Sequence, residues 1–305
     1  MKNILFLSLF IFVCCLLIFC SFFLSRQTNQ QYTSDTADNS RKTINHTVLH
    51  YWDNLNVTDT TTFFRKEASE KQLVDYLYLL NKASTDSAHS GLITLLDKAL
   101  INQAVFNHFI GLIEKYLYYP DSPLRNEELY INVLEYCIQD KRLAEGYKIR
   151  PEYQLSMLYK NREGHTAEDF TYITSSGGKG SLYSINAPFT LLLFYDPDCE
   201  NCREIICQLS DNTMLKSMQH EKKLKVLSIY TGDNMRIWQD YASSIPTEWA
   251  NGYDKQQINK QKKYDLRAFP TLYLLDKDKK VLLKDAYIDM IMSSLNVVSH
   301  KKIMN

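Results

Sequence analysis

At 305 residues the chain has room for two domains of ordinary size, and its 45% hydrophobic and 23% charged residues make a globular composition rather than a disordered one. Lysine plus arginine (35) equals aspartate plus glutamate (35), so the net charge is zero and nothing asks for nucleic acid or another polyanion as partner. The cysteines Cys14, Cys15 and Cys20 sit near the start, Cys137 and Cys207 stand alone, and only Cys199 and Cys202 form a spaced pair, a distribution unlike that of a disulfide-stapled secreted domain.

Met1-Lys2-Asn3 opens an apolar, uncharged run from Ile4 to Leu24 that ends at Arg26. Residues 1–25 are thus predicted to be a signal or membrane anchor, long enough to cross a bilayer, with Lys2 holding its start on the cytoplasmic side. Three fates stay open. The segment is retained, or Cys20 carries lipid after a loose Leu17-Ile18-Phe19-Cys20 box, or the segment is cleaved, although no small-x-small site is present. All three place the remainder outside the cytoplasm, on the periplasmic side of the cell envelope.

Residues 26–43 are polar and are predicted to be a flexible tether. Residues 44–163 then carry apolar stripes at helical spacing: Leu73, Leu77 and Leu80; Leu92, Leu95, Leu96 and Leu100; Phe106, Phe109, Ile110 and Ile113; Leu129, Val133, Leu134 and Ile138. Ser122-Pro123 separates two helices and Pro151 starts another, which predicts an all-helical domain of about five helices. These stripes are core rather than a cofactor box, and Cys137 on one of them is a buried thiol.

The texture changes at Gly164. Ser175-Ser-Gly-Gly-Lys-Gly180 is a turn cluster without the spacing of a phosphate-binding loop. Strands are predicted at Ser181 to Ile185, Leu191 to Tyr195, Leu224 to Tyr230, Thr271 to Leu275 and Val281 to Leu283. Helices are predicted from the cysteine pair to about Met218, near Asn234 to Ala242, at Lys255 to Lys263, and at Tyr287 to Leu295; Ile245 to Trp249 reads as extended. Strands alternating with helices predict that residues 164–305 form an α/β sheet covered on both faces.

The chemistry gathers where Leu191-Leu-Leu-Phe-Tyr195 meets Asp196-Pro-Asp-Cys-Glu-Asn-Cys202. Asp-Pro-Asp breaks the strand, so Cys199 falls where a helix begins, with Ile205, Ile206 and Leu209 as that helix's apolar stripe. Free backbone N–H groups and the positive dipole end favour the thiolate of a cysteine placed there. Cys202 lies one turn on, within reach to close a disulfide, and the pair reads as a reversible dithiol/disulfide centre. Zinc would need a second ligand pair, which is missing, and Cys207 is about 140° round the helix from Cys202. The seven histidines are scattered, and no metal or cofactor is expected.

A second element is Ala268-Phe269-Pro270-Thr271, ahead of the strand Leu272-Tyr-Leu-Leu-Asp276. A proline at a strand entrance can be cis. With the cysteine pair, Gly164-x-x-Ala167-x-x-Phe170 and the Asp-Pro-Asp-Cys entry, this pattern resembles the thioredoxin superfamily, and in particular the membrane-tethered TlpA/ResA type of envelope thiol–disulfide oxidoreductase. The resemblance implies a cis Pro270 facing the cysteines and a Phe269 backbone that receives extended substrate peptide. Glu114 to Tyr130, with Tyr119-Pro-Asp-Ser-Pro123 at its centre, and Lys160-Asn-Arg-Glu-Gly164 are similar to a helical domain of unassigned function that precedes thioredoxin-like domains in envelope proteins of gut and oral bacteria.

The sequence also departs from the superfamily. Thioredoxin carries a buried aspartate six residues before its first cysteine, where this chain has Leu193, and a tryptophan just before it, where this chain has Asp198. Proton transfer from Cys202 therefore has to use water or another group. Asp196, Asp198 and Glu200 add negative charge beside Cys199, or are simply a solvated turn. The expected function is reduction of disulfides in envelope proteins, with protein thiols and disulfides and an upstream electron donor as partners. Isomerase or oxidase activity stays open, as does a non-catalytic adaptor with a static disulfide.

Overall fold

A computed structural model describes residues 39–58 and 66–301. The apolar run Ile4 to Leu24 lies outside the described residues, among which no helix is long and apolar enough to cross a membrane. The chain divides between Val133 and Leu134 into two compact units.

The first unit is helical: α1 (39–50), α2 (Lys66–Leu80), α3 (Thr85–Ala99), α4 (Gln103–Leu117) and the start of α5 (Glu127–Gln139). Helix α1 reaches back to residue 39, into the polar stretch expected to be tether. Side-chain hydroxyls of Thr43 and Thr47 donate to the carbonyls of Asn39 and Thr43, while Val48 and Trp52 are buried and hold its far end. Local chemistry sets the helix starts. Ser84 Oγ accepts from Ser87 N, and Asn102 Oδ1 accepts from Ala104 N and Val105 N, satisfying donors that a helix start leaves free.

The core of this unit is aromatic as well as aliphatic. Trp52 meets Tyr76 and Phe109 edge-on, at ring separations of 5.3 and 5.4 Å. Gly91 of α3 is what lets α1 come close: a Cβ there would lie 2.6 Å from Tyr76 Oη and 2.7 Å from Val48 Cγ1.

The second unit is built on one seven-stranded sheet: β1 (Thr171–Thr174), β2 (Lys179–Ser181), β3 (Phe189–Tyr195), β4 (Leu224–Tyr230), β5 (Ala250–Tyr253), β6 (Thr271–Asp276) and β7 (Val281–Lys284), in the order β2-β1-β5-β4-β3-β6-β7. β3, β4 and β5 are parallel, and the outer pairings are antiparallel. Leu191, Leu193 and Tyr195 enter one apolar cluster, Leu192 and Phe194 the other, so β3 is buried on both faces by strict alternation.

Around the sheet lie α6 (Ile149–Leu158), α7 (Glu200–Asp211), α8 (Thr213–His220), α9 (Met235–Tyr241), α10 (Gln257–Lys260) and α11 (Ile288–Lys301). Residues before Gly164 are tied into this unit. Lys284 Nζ donates to the carbonyls of Leu158 and Lys160 at 3.1 and 3.2 Å, and Asn161 Nδ2 to that of Lys263 at 2.8 Å.

Several local expectations need correction. The strand expected at Ser181 to Ile185 lies earlier, at Lys179–Ser181, because only Ser175 to Gly178 of the cluster form the turn of a hairpin with the unexpected β1; Ser184 then turns the chain by hydrogen bonds with Ser181. The cysteine helix does not run to Met218. It stops at Asp211, where Asn212 is extended (ψ 115°) and its side chain caps the next helix through Leu215 N. The extended segment near Trp249 is a turn followed by β5. The Lys255 to Lys263 helix shrinks to one turn, since Lys255 and Gln256 have φ of 56° and 61° and Asp254 caps what remains.

Gly91→Ala should lower stability by about 1–3 kcal/mol, the usual cost of overpacking a close contact. Denaturant unfolding followed by far-UV circular dichroism is the check.

Candidate active site

The site begins at the end of β3, whose pairing leaves the chain no freedom until Tyr195. Phe194 lies opposite Thr271 of β6 and Tyr195 opposite Tyr230 of β4. The turn that follows is self-bonded. Asp196 O accepts from Cys199 N at 3.1 Å, Asp196 Oδ1 accepts from Asp198 N at 2.9 Å, and Arg203 Nη1 reaches back to Pro197 O at 2.9 Å. This delivers Cys199 as the N-cap of α7, with extended backbone (φ −84°, ψ 120°) and Sγ accepting from Cys202 N at 3.4 Å.

Cys199 is half-buried and its thiol donates to the Phe269 carbonyl at 3.5 Å; Phe269–Pro270 is a cis peptide bond. All four residues singled out in the sequence, Cys199, Cys202, Phe269 and Pro270, therefore meet at one place. Thr271 Oγ1 closes the loop on Ala268 O at 2.6 Å. On its other flank Arg267 pairs with Asp265 (3.1 Å) and with Asp285 (3.5 Å), tying the loop to the segment after β7.

Cys202 is fully buried, in the apolar cluster that also holds Leu193, Ile206 and Leu274. Its Sγ accepts from Asp196 N at 3.5 Å. Burial pushes its thiol well above the usual range. The neighbouring Cys199 and the charge of Asp196 act in the same direction, against the Asp196 backbone N–H. Cys199 and Cys202 are both free thiols. Cys207 is exposed, 3.7 Å from Asp211 Oδ2, and Cys137 is buried in α5, its thiol pushed up to about 12 chiefly by burial.

Sequence reasoning missed the residues packed behind the pair. Tyr241 of α9 lies against the same cluster, 5.8 Å ring to ring from Tyr195; burial raises its phenol, as does the negative charge of either cysteine, while Arg203 lowers it. Tyr195 Oη, Trp238 Nε1 and Ser228 Oγ all donate to Asn251 Oδ1, at 3.0, 3.3 and 3.3 Å. The apolar setting of Tyr195 and Ser228 within strands signals burial, but nothing local signals a shared acceptor more than twenty residues away. Among the described residues no cluster of three histidine, cysteine or acidic side chains is disposed to hold a metal.

A mixed sheet with a helix opening on two cysteines, opposite a cis-proline loop, is the arrangement of a thioredoxin-like fold. A family model described as thioredoxin-like matches residues 188–281, and a model for a domain of unknown function (DUF5106) matches residues 36–161. A thioredoxin-like protein from Bacteroides caccae is 41% identical, covers 84% of this chain and 93% of its own, and superposes with a TM-score of 0.81. The C-terminal domain of an uncharacterized protein from Bacteroides fragilis is 45% identical over 45% of this chain and 98% of its own, with a TM-score of 0.44. The thioredoxin domain of a thiol-disulfide oxidoreductase from Bacteroides vulgatus is 19% identical over 45% of this chain and 97% of its own, with a TM-score of 0.38. No curated protein matches the chain. The chain belongs to the thioredoxin-like family, in the form that sets a helical DUF5106 domain before the thioredoxin-like domain.

The burial and raised thiol of Cys202 predict selective labelling. Iodoacetamide at neutral pH should modify Cys199 and Cys207 and spare Cys202, because the thiolate is the nucleophile and Cys202 stays protonated until the pH rises far into the alkaline range. Peptide mass after a timed reaction reads this directly.

Proposed function

We propose that the protein is a thiol–disulfide oxidoreductase that reduces disulfides of envelope proteins through Cys199 and Cys202. The observation that carries the reading is the position of Cys199. Its sulfur caps a helix, is half exposed, and sits 3.5 Å from the backbone carbonyl that precedes a cis proline. An extended peptide lying along Phe269 and Pro270 would bring a disulfide to that sulfur. Cys199 then attacks as the thiolate and forms a mixed disulfide with one substrate sulfur. Cys202, one turn away and screened from solvent, attacks Cys199 and releases the substrate as a dithiol.

Reduction is the direction we assign. Asp196, Asp198 and Glu200 bring three carboxylates to the start of α7, and negative charge there works against a stabilised reduced form. A centre whose reduced form is less stabilised gives up electrons more readily. A donor outside the chain must then re-reduce the pair. We place the protein on the periplasmic side of the envelope, anchored by its N-terminal segment, with lipidation at Cys20 or cleavage of that segment as the alternatives. Support for this is the uncharged apolar run from Ile4 to Leu24.

The first test is a redox titration in graded thiol/disulfide buffers, reading the Cys199–Cys202 peptide by mass after alkylation. A reversible two-electron couple near or below about −220 mV is expected. A much higher potential would reverse the direction, and a pair that never exchanges would remove the enzyme reading. The second test uses cells. Cys202→Ser should accumulate mixed disulfides through Cys199, whereas Cys199→Ser should accumulate none; protease accessibility in intact spheroplasts tests the location.

A further inference from the structure

The resolving step raises a difficulty that the fold makes concrete. Cys202 must lose a proton to attack, yet it is fully buried and its thiol is held protonated. The buried aspartate that thioredoxin places behind its second cysteine is absent. Leu193 stands there and packs in the same apolar cluster as Cys202.

Few polar groups face Cys202 from the elements packed on it. From β3 there is Tyr195, whose hydroxyl is committed to Asn251 Oδ1. From α9 there is Tyr241, which feels the charge of both cysteines. Arg203 of α7 is engaged with Pro197 O, and Tyr230 of β4 stacks on Tyr253. The remaining group is Asp196. Its own N–H is on Cys202 Sγ at 3.5 Å, its carboxylate charge acts on that thiol, and it is half-buried at the mouth of the cluster. The Asp198 N–H on Oδ1 fixes the carboxylate in the turn.

We propose that the Asp196 carboxylate accepts the proton of Cys202 as its sulfur attacks the mixed disulfide. This rests on the reading of Cys199 and Cys202 as a redox pair. In the step the Cys202 S–H bond breaks and the proton passes to Asp196, directly or through one water. The Cys202–Cys199 S–S bond forms while the bond from Cys199 to the substrate sulfur breaks. The electron pair leaves on the substrate sulfur, which solvent protonates. Two protein sulfurs are oxidised, the substrate disulfide is reduced, and Asp196 returns its proton to water.

Charge alone and proton acceptance have opposite signatures. If Asp196 acts only as a charge, neutralising it makes Cys202 easier to ionise and speeds resolution. If it takes the proton, neutralising it slows resolution. The experiment mixes the full-length reduced protein with glutathione disulfide, quenches in acid at intervals, alkylates, and weighs the peptide that carries both cysteines. The parent should pass from a glutathione adduct on Cys199 to the internal disulfide, with a conversion rate that is level through the mildly acidic range. Asp196→Asn, which keeps an oxygen for Asp198 N–H, should accumulate the adduct, convert at least about tenfold more slowly at neutral pH, and gain about tenfold per pH unit. Asp196→Glu should recover most of the rate, and Tyr241→Phe should leave the profile unchanged.

An Asp196→Asn variant that converts as fast as the parent or faster overturns the proposal, as does a Tyr241→Phe variant that alone loses the level region. A parent whose own rate climbs tenfold per pH unit throughout overturns it whether or not the variants fold. A parent that forms neither adduct nor internal disulfide overturns the redox reading itself, a result that none of the variant outcomes resembles.

Discussion

Strand β3 is hydrogen-bonded on both edges, to β4 and to β6, and buried on both faces. Its backbone groups have no alternative partners, and its side chains have no route to water that does not open one of the two apolar clusters. Such a strand is costly to shift, because a slip by one residue would exchange the contents of the two faces. Everything reactive is referenced to its C-terminal end. The Asp-Pro-Asp turn, the start of α7 and the register of β6 all take their positions from Tyr195 and Phe194, so two sulfurs and a backbone carbonyl far apart in sequence are held within contact distance.

The polar groups near that end are arranged by the same logic. The helix start and the turn before it supply donors without side chains, and the sulfurs take them: Cys199 Sγ takes Cys202 N from the helix, and Cys202 Sγ takes Asp196 N from the turn. Arg203 stays close to the turn, and Arg267, between Asp265 and Asp285, secures the proline loop rather than the sulfurs. One sulfur is therefore half exposed beside the proline loop, while the other sees apolar side chains and one backbone N–H. The chemical difference between two cysteines three residues apart comes from their positions on one helical turn.

Much of this is legible in the sequence, and the rest is hidden for identifiable reasons. The runs Leu191 to Tyr195 and Leu224 to Tyr230 announce themselves because strands buried on both faces are mostly apolar, broken in the second only by the exposed Lys225 and by Ser228. The cysteine spacing and Phe269-Pro270 are local signals, and they converge. β1 and β5 are four residues each and carry no pattern of their own. β5, Ala250-Asn-Gly-Tyr253, is poor strand material that exists because β4 and β1 flank it and because Gly252 leaves room for the Tyr172 ring, which a Cβ would meet at 2.3 Å. The break at Asn212 had a signal in its capping side chain, overridden by the apolar residues on either side. The Asn251 acceptor and the place of Tyr241 are purely tertiary and have no sequence signature.

Lys284 bears on where this protein can be cut. Its ammonium is buried at the end of β7 and donates to the last carbonyls of α6 and its cap region, Leu158 and Lys160, while its backbone N–H donates to Glu163. The family matches and the change in texture both suggest a seam between residues 161 and 164. Severing the chain there would strip a buried cation of two carbonyl oxygens at the edge of the sheet, a costly loss for a charge held away from water. The segment from 149 to 163 works as a plug belonging to the sheet, whichever domain its sequence resembles. The natural seam for dissecting the two halves is upstream of α6.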